Sequence, residues 1–210
     1  MGADCAVAES WQVASATMSR SHLHDADAGD VRAVLAGDAG AFESLVRRHE
    51  KTVAVLMWRF SRDLRVRGEL VQDVFVEAYL ALGGYDRARP FLPWLRRIAT
   101  RVGYRHWESL ERQKRHVRVE EAAPARASAD DRVPAAERAA ALLDALLARL
   151  GTEDRLVLTL MYFENCDLRE IAARTGWNRA AAAMRAHRAR RRLRKIIESE
   201  KLLEDLPWLK

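Results

Sequence analysis

Cysteine is scarce in this sequence, and several other features that would assign a protein to a class are missing. The 210 residues contain two cysteines, Cys5 and Cys166, with no histidine or further cysteine at ligand spacing. This pattern indicates neither a disulfide framework nor a zinc site, and it favours a reducing compartment. The sequence contains no run of about 18 apolar residues, the length needed to cross a bilayer. Residues 1–24 also lack the apolar core of a signal peptide. The sequence therefore predicts a soluble, cytoplasmic protein without membrane insertion.

Strand-like alternation and catalytic constellations are also missing. Because 49% of the residues are apolar, the chain can still bury a core, and its apolar residues recur every three to four positions. The prediction is an all-α protein of two small helical domains joined by a flexible linker, the C-terminal one a helix-turn-helix domain. No nucleophile with a nearby base, glycine-rich phosphate loop or metal cluster is present, which predicts no enzyme and no cofactor. His22 and His24 are interpreted as solvated residues, not metal ligands.

Positive charge is modest in total but unevenly placed. The formal net charge is +6, and the basic residues gather in residues 96–118 and 177–195. Clustering of this kind favours a polyanionic partner over mere solubility. Between Trp177 and Lys195 there are eight Arg or Lys residues and no acid, a profile typical of a helix that binds nucleic acid.

Changes in composition divide the chain into five segments. We expect a poorly ordered N-terminal tail, a helical domain, a linker containing acids and prolines, a helix-turn-helix domain and a short C-terminal tail. Their predicted bounds are 1–28, 29–115, 116–136, 137–197 and 198–210. Met18 is a second candidate for the translation start.

The first domain is predicted to hold a short helix capped by Asp30 and three longer helices. The first of these begins at Ala39, the second follows a polar break at residues 61–68, and the third begins near Trp94. The third mixes arginines with aromatic residues, which suits phosphates and unstacked bases. A second interpretation stays open, in which Trp94 and Trp107 belong to the core and the arginines form a solvated face.

The helix-turn-helix is predicted from residues 164–195. Residues 168–174 have the spacing of a short helix, and a turn over residues 175–178 includes Gly176, which can take the positive φ that such a turn needs. Upstream, Thr152 is predicted to cap a supporting helix that has Glu153 and Asp154 in its first turn.

Two separated segments resemble the extracytoplasmic-function (group 4) sigma factors of the sigma-70 family. Residues 69–79, followed by Phe91 and residues 94–99, are similar to the family's region 2. Residues 150–155, 162–164 and 170–172, with Gly176 and the run at residues 185–190, are similar to region 4. Helix-turn-helix patterns alone occur in many regulators, but both segments in this order are specific.

The resemblance implies an alternative sigma factor that directs core RNA polymerase to promoters. Its first domain would bind the polymerase and open the minus-ten element, and its second would read the minus-35 element as duplex. The implied partners are bacterial core RNA polymerase and promoter DNA, and an anti-sigma factor is a further candidate. Two alternatives remain at this point: a helix-turn-helix regulator that binds an operator without acting as a sigma subunit, and an RNA-binding or scaffold protein.

The resemblance also implies roles for residues that match the family's motifs. Predicted polymerase contacts are Glu69, Gln72, Asp73 and Glu77, although an ordinary solvated face would explain them equally well. Predicted minus-ten contacts are Arg87, Arg89, Trp94, Arg97, Arg101, Tyr104 and Arg105. Predicted minus-35 contacts are Arg179, Ala183, Met184, Arg185, Arg188, Arg190 and Arg191.

Within the recognition helix, two kinds of contact are expected. Base edges are assigned to Arg179, Ala183, Met184 and Arg188. Phosphates, or simple solvation of the helix end, are assigned to Arg185, Arg190, Arg191, Arg192 and Arg194. Ala183 and Met184 depart from the polar residues usual in the family, which favours apolar contact with thymine methyl groups. Arg101 and Arg105 stand where the family has Asn and Asp, so only their charge carries over.

Overall fold

Helices form the regular structure in the part of the chain that the computed structural model describes, residues 22–117 and 135–199. In chain order they are α1 (residues 22–35), α2 (Gly40–Met57), α3 (Leu64–Ala81), α4 (Phe91–Val117), α5 (Ala135–Ala148), α6 (Thr152–Leu158), α7 (Leu168–Thr175) and α8 (Arg179–Ser199). A 3-10 turn at Leu82–Gly84 follows α3, and a π-helical turn at Thr159–Phe163 follows α6. The predicted all-α fold is confirmed.

The chain divides into two compact units, Met1–Val102 and Gly103–Lys210. Their boundary falls within α4, so the second half of that helix belongs to unit 2. Helix α4 continues to Val117 and α5 begins at Ala135, so most of the predicted linker lies outside the described residues. The predicted C-terminal tail beyond residue 199 lies outside them as well, and the functional domain bounds stay predictions.

Unit 1 is held together by apolar faces of α2, α3 and α4. The side chains with almost no exposure include Leu45, Met57, Val74, Ala78, Phe91, Leu95 and Ile98. Each large side chain removed from water contributes about 1.5–3 kcal/mol before the entropy cost of folding. Gly83 and Gly84 close the 3-10 turn after α3.

Residues 22–28 are helical in the structure, so the predicted poorly ordered tail is wrong for that stretch. They form the start of α1, where Asp27 is buried and pairs with Arg48 and His49 of α2. Asp30 was predicted to cap a helix, but it lies inside α1. Its carboxylate also pairs with Arg48, at 2.8 Å. Residues 1–21, with Cys5 and Met18, lie outside the described residues. His22 is exposed and His24 is half-buried.

The start of α3 differs from the prediction. The polar break was expected to reach Gly68, but the helix begins at Leu64 because the Asp63 carboxylate accepts from Arg65 N at 2.8 Å and Val66 N at 3.2 Å. An aspartate in this position satisfies backbone donors that have no partner inside the helix. These same hydrogen bonds, with Val66 N the larger contributor, hold the pKa of Asp63 below its ordinary value.

Unit 2 is built around α6 and the π-helical turn that continues it. Leu156, Val157, Leu158 and Leu160 are almost fully buried there. Thr152 is the first helical residue and not the cap, a position that Gly151 occupies without a side-chain hydrogen bond. The predicted acids do lie in the first turn of α6.

Candidate nucleic-acid interface

The helix-turn-helix is fixed by hydrogen bonds at both ends of α7. Asp167 Oδ1 accepts from Glu170 N at 2.8 Å, and Glu170 Oε2 accepts from Asp167 N at 3.1 Å, which forms a reciprocal capping box. The hydrogen bond from Glu170 N holds the pKa of Asp167 below its ordinary value. Gly176 ends α7 with φ at 79°, a conformation that an L side chain rarely adopts. The predicted turn and the role of its glycine are confirmed.

Helix α8 has one face turned inward and lined by small residues. Ala182, Ala186 and Ala189 are each 1% exposed or less. Short side chains at this spacing lie on one side of a helix and allow its backbone to approach neighbouring helices closely. The start of α8 is stabilised by Asn178, whose Oδ1 accepts from Ala181 N at 2.7 Å. The opposite face of α8 is therefore open to a partner.

The open face of α8 carries a methionine, a histidine and an arginine. Met184 is 72% exposed, and His187 and Arg191, three and seven residues further on, are also exposed. Residues at this spacing form one row along a helix. Met184 and Arg191 were predicted from the sequence to bind DNA, whereas His187 was not, although its position in the row follows from spacing alone.

One flank of α8 faces the acids of α6. Glu153 accepts from Arg185 Nε at 2.9 Å and from Arg185 Nη2 at 3.1 Å. Asp154, only 2% exposed, accepts from Arg192 and lies 3.6 Å from Arg188 Nε. The hydrogen bonds from Arg185 hold the pKa of Glu153 below its ordinary value. The charge on this row of arginines is partly neutralised within the protein.

Arg185 is further constrained by a ring. Its guanidinium carbon lies 4.4 Å from the centroid of the Trp177 ring, a distance typical of cation–π contact. The hydrogen bond to Glu153 raises the pKa of Arg185 above its ordinary value. Arg185 thus joins α6 to the turn before α8, which gives it a structural role beside any contact with phosphate.

The other flank of α8 offers its arginines to solvent. Arg190, Arg191 and Arg194 are exposed, and within the described ranges no ion pair engages them. Arg179 is also exposed and lies near enough to Asp167 to help lower the pKa of that carboxyl group, as its smallest contribution. Ala183 is half-buried. The predicted minus-35 residues therefore fall on three sides of one helix, and only part of the set shares a surface.

An aromatic cluster supports the loop before α4. The Tyr85 and Phe91 rings meet edge to face with centroids 5.5 Å apart, and the Trp94 ring lies 5.0 Å from Tyr85 and 5.3 Å from Phe91. The Tyr85 hydroxyl donates to the backbone carbonyl of Arg89. Trp94 is half-buried, so one part of its ring packs inward. Arg87 and Arg89 are exposed on the loop itself, where Arg89 Nε lies 3.0 Å from Asp86 Oδ2.

Three arginines of α4 lie on its outer side. Arg97, Arg101 and Arg105 are exposed, whereas Tyr104 is half-buried. Burial, and then the neighbouring Glu108 carboxylate, raise the pKa of Tyr104 to about 12. Trp107 is only 2% exposed, so the interpretation of it as a core residue is correct. The Arg155 guanidinium lies 3.9 Å from the Trp107 ring centroid.

Unit 2 also contains a cleft of about 390 Å³. Its lining residues come from the end of α4, the start of α6 and α8, and they include Tyr104, Glu108, Asp154, Arg188 and Arg192. The structure therefore brings together Tyr104, predicted for the minus-ten element, and Arg188, predicted for the minus-35 element. Both have acidic neighbours, since Glu108 lies beside Tyr104 and Asp154 Oδ1 lies 3.6 Å from Arg188 Nε.

Helix α3 presents a mixed row to solvent. Glu69, Gln72 and Asp73 are exposed as predicted, and Glu77 is half-buried. Val76 and Leu80 continue the same row and are 57% and 77% exposed. These two were not predicted from the sequence, although the spacing from Asp73 places them on the polar side. Tyr79 is 47% exposed, and its ring centroid lies 5.1 Å from that of Phe42.

Comparison with known families matches both units. The family described as sigma-70 region 2 matches residues 45–113, and the one described as sigma-70, region 4 matches residues 140–193. RNA polymerase sigma factor CarQ of Myxococcus xanthus is 33% identical over 166 residues, which cover 77% of this chain and 91% of that protein. The chain belongs to the sigma-70 family.

Further relatives of this sigma factor support the same assignment. RNA polymerase sigma factor NccH of Alcaligenes xylosoxydans xylosoxydans is 29% identical, with 79% of this chain and 91% of that protein covered. The solved structure of CnrH in complex with the cytosolic domain of CnrY has a TM-score of 0.54 and 27% identity, and the match covers 83% of this chain and 99% of that one. Several relatives are named as extracytoplasmic-function sigma factors.

These matches decide the function at the level of the family. The protein is an alternative RNA polymerase sigma factor of the extracytoplasmic-function group, and it acts with core RNA polymerase and promoter DNA. A regulator that merely binds an operator is not favoured, since region 2 matches as well as region 4. Among the described residues of this sigma factor, no helix is long and apolar enough to cross a membrane, and no three acidic, His or Cys side chains form a metal-binding group.

Proposed function

We propose that this sigma factor uses three surfaces, one for the polymerase and one for each promoter element. Residues 29–115 would bind the polymerase and open the minus-ten element, and residues 137–197 would read the minus-35 element. The observation that carries the proposal is that α8 has one buried face and one exposed face. Its alanine face is packed inside unit 2, which leaves Met184, His187 and Arg191 outward on a helix that follows a helix-turn-helix turn.

The minus-35 surface is proposed to consist of two parts. Met184 and Ala183, near the start of α8, would meet base edges through apolar contact, and thymine methyl groups are the suitable targets. Arg190, Arg191 and Arg194 would neutralise phosphates. Arg179, Arg185 and Arg188 stay in the proposed set. Arg185 and Arg188 come second in importance, because Glu153 and Asp154 already engage them.

The minus-ten surface is proposed to be the loop at residues 85–90 together with the outer side of α4. Holding a separated strand requires bases to leave the stack at a cost of a few kcal/mol. Arg87, Arg89, Arg97, Arg101 and Arg105 are exposed and would offset this cost by binding the backbone phosphates. Trp94 and Tyr104 would contribute only the ring edges that remain exposed.

The polymerase surface is proposed to be the outer row of α3. It combines Glu69, Gln72, Asp73 and Glu77 with the exposed apolar residues Val76 and Leu80. Charged groups at a rim guide association, while apolar side chains that become buried supply affinity. This pairing of polar and apolar residues supports a protein contact better than the acids alone.

Three further properties are proposed with these roles. An anti-sigma factor is a candidate partner, since CnrH, in one of the similar solved structures, is in complex with the cytosolic domain of CnrY. The protein is proposed to act in the cytoplasm, where core polymerase works. It is also proposed to catalyse no reaction of its own, because its role is to place the polymerase.

Reconstituted transcription tests the proposal. Purified protein and core polymerase are expected to produce defined start sites on genomic promoter fragments that core polymerase alone does not produce. Val76→Asp with Leu80→Asp is expected to abolish those transcripts by preventing association with the polymerase. Val55→Asp is the matched control, because Val55 is 64% exposed but lies on α2. No specific start site with uninhibited protein would contradict the proposal, and equal loss with Val55→Asp would remove α3 as the polymerase surface.

A further inference from the structure

A buried polar pair joins α1 to α2. The Asp27 side chain is 5% exposed and the His49 side chain 7%. His49 Nε2 lies 3.0 Å from Oδ1 and 3.1 Å from Oδ2 of Asp27. Because an ionised carboxylate can only accept, Nε2 carries the proton and donates. Arg48 Nη1 donates to the same carboxylate at 2.6 Å and Arg48 Nη2 to Asp30 at 2.8 Å. The charge on Asp27 is therefore paired and fixed in place.

From this pair, packing continues to the loop at residues 85–90. The His49 ring lies 5.3 Å from the Phe91 ring, and Phe91, which is 1% exposed, meets Tyr85 edge to face. The Tyr85 hydroxyl then donates to the carbonyl of Arg89. Burial, followed by the carboxylates of Asp27 and Asp86, raises the pKa of Tyr85 to about 12. The hydroxyl consequently remains a donor throughout the neutral range.

We propose that Asp27 and His49 are positioning residues for promoter opening, which act through Phe91 and Tyr85 on the loop that carries Arg87 and Arg89. This inference rests on the minus-ten role proposed above for that loop. A loop held in its binding conformation loses less entropy when it captures DNA, and small displacements of binding groups weaken an oriented contact strongly. Asp27 precedes residues 45–113, the stretch that matches region 2, so α1 becomes a functional part of the protein.

Two substitutions interrupt the connection at different points. Asp27→Asn removes the charge that holds His49, and Tyr85→Phe removes only the hydroxyl while keeping the ring. Asp30→Asn is the matched control, since Asp30 also pairs with Arg48 from α1 but is not hydrogen-bonded to His49. The full chain, bound to core polymerase, is titrated with a fluorescent single strand that carries the minus-ten segment of a promoter mapped by the transcription assay.

The two variants are expected to weaken strand binding by about twofold to thirtyfold, the range carried through packed networks. Affinity for core polymerase and for minus-35 duplex should stay unchanged, and Asp30→Asn should match the wild type. In a background of Arg87→Ala and Arg89→Ala, Tyr85→Phe should cause no additional loss, because the residues that it positions are gone.

Three outcomes would overturn the inference, and they are distinguishable. If Arg87→Ala with Arg89→Ala weakens strand binding but Tyr85→Phe does not, the loop keeps its proposed role and the positioning role is lost. If the two arginine substitutions have no effect, the minus-ten role of the loop fails first. If strand binding and polymerase binding fall together with the melting temperature, Asp27 merely stabilises the fold. Tyr85→Phe keeps the test decisive if Asp27→Asn does not fold.

Discussion

Helices α4 and α8 are both rich in arginine, but they present their charge differently. On α8, Arg185, Arg188 and Arg192 face two acids of α6. On α4, Arg97 and Arg101 are exposed, and no carboxylate of the described residues forms an ion pair with them. The inner faces differ too, since α8 packs with alanines and α4 with Phe91, Leu95 and Ile98.

The difference shows that the number of arginines does not measure the charge offered to DNA. When an arginine already donates to a carboxylate, it neutralises a DNA phosphate less completely. It therefore displaces fewer counterions from the DNA. On α8 the exposed Arg190, Arg191 and Arg194 are therefore the arginines that we propose to face DNA. On α4 the exposed Arg97 and Arg101 have no such acid beside them among the described residues, and they are the arginines that we propose for the separated strand.

The largest expected effect comes from replacing the arginines on one side of α8 at a time. The first triple variant combines Arg190→Ala, Arg191→Ala and Arg194→Ala. The magnitude of its negative slope of log affinity against log salt should be smaller than that of the wild type by about 2.7, at about 0.9 for each phosphate of duplex DNA that is no longer neutralised. Arg185→Ala, Arg188→Ala and Arg192→Ala should reduce it by less. The second set should instead lower the free energy of unfolding by about 1–3 kcal/mol, because buried Asp154 loses its partners.

Salt titration of duplex binding and urea unfolding of both triple variants check this contrast. Each triple variant serves as the charge-matched control for the other, since both remove three positive charges from one helix. Equal changes in salt slope would mean that Glu153 and Asp154 withhold no charge from DNA, and the difference between the two flanks would lose its functional meaning.

Local sequence signals predicted much of the fold and of the helix-turn-helix. Gly176 marks the turn because the backbone there needs a positive φ. The apolar spacing predicted that α2 begins at Ala39, one residue before its first residue, Gly40. Such signals act over a few positions along the chain, where one residue dictates the geometry of its neighbours.

Pairs that are distant in sequence could not be predicted in this way. Arg185 and Glu153 are 32 residues apart, and Arg48 and Asp27 are 21 apart. Helical spacing relates residues three or four positions apart and says nothing about such contacts. For this reason spacing alone assigns the start of α1 to a poorly ordered tail and places Arg188 toward bases without its acidic neighbour. Val76 and Leu80, in contrast, could have been found from the spacing of α3.

A moderate effect is expected from pH, through the pair of Glu153 and Arg185. The folded pKa of Glu153 lies below its ordinary value of 4.5, chiefly because Arg185 donates to it. A carboxyl group whose pKa is lowered by folding stabilises the folded state at any pH above its ordinary pKa. This contribution is lost as the pH falls through the folded pKa. Wild type should therefore be more stable than Glu153→Gln at pH 7, and the difference should narrow below pH 4.5.

Urea unfolding of both proteins across that range measures the effect. Glu198→Gln, at the exposed end of α8, controls for the removal of one negative charge. At neutral pH, Glu153→Gln should also strengthen binding to duplex slightly, because Arg185 is released toward phosphate. A stability difference that does not vary with pH would show that the carboxylate charge contributes nothing to this contact.

The smallest expected effect on the fold comes from Met184, and it sharpens the contrast between reading and neutralising. Since Met184 is 72% exposed, Met184→Ala should change the free energy of unfolding by about 0.5 kcal/mol or less. If its side chain contacts a thymine methyl group, the variant should lose preference at one base pair of the minus-35 element. The salt slope should stay constant, unlike in the arginine variants. Affinities for duplexes that differ at single positions measure this, and a uniform loss for all sequences would show that Met184 supports binding without reading sequence.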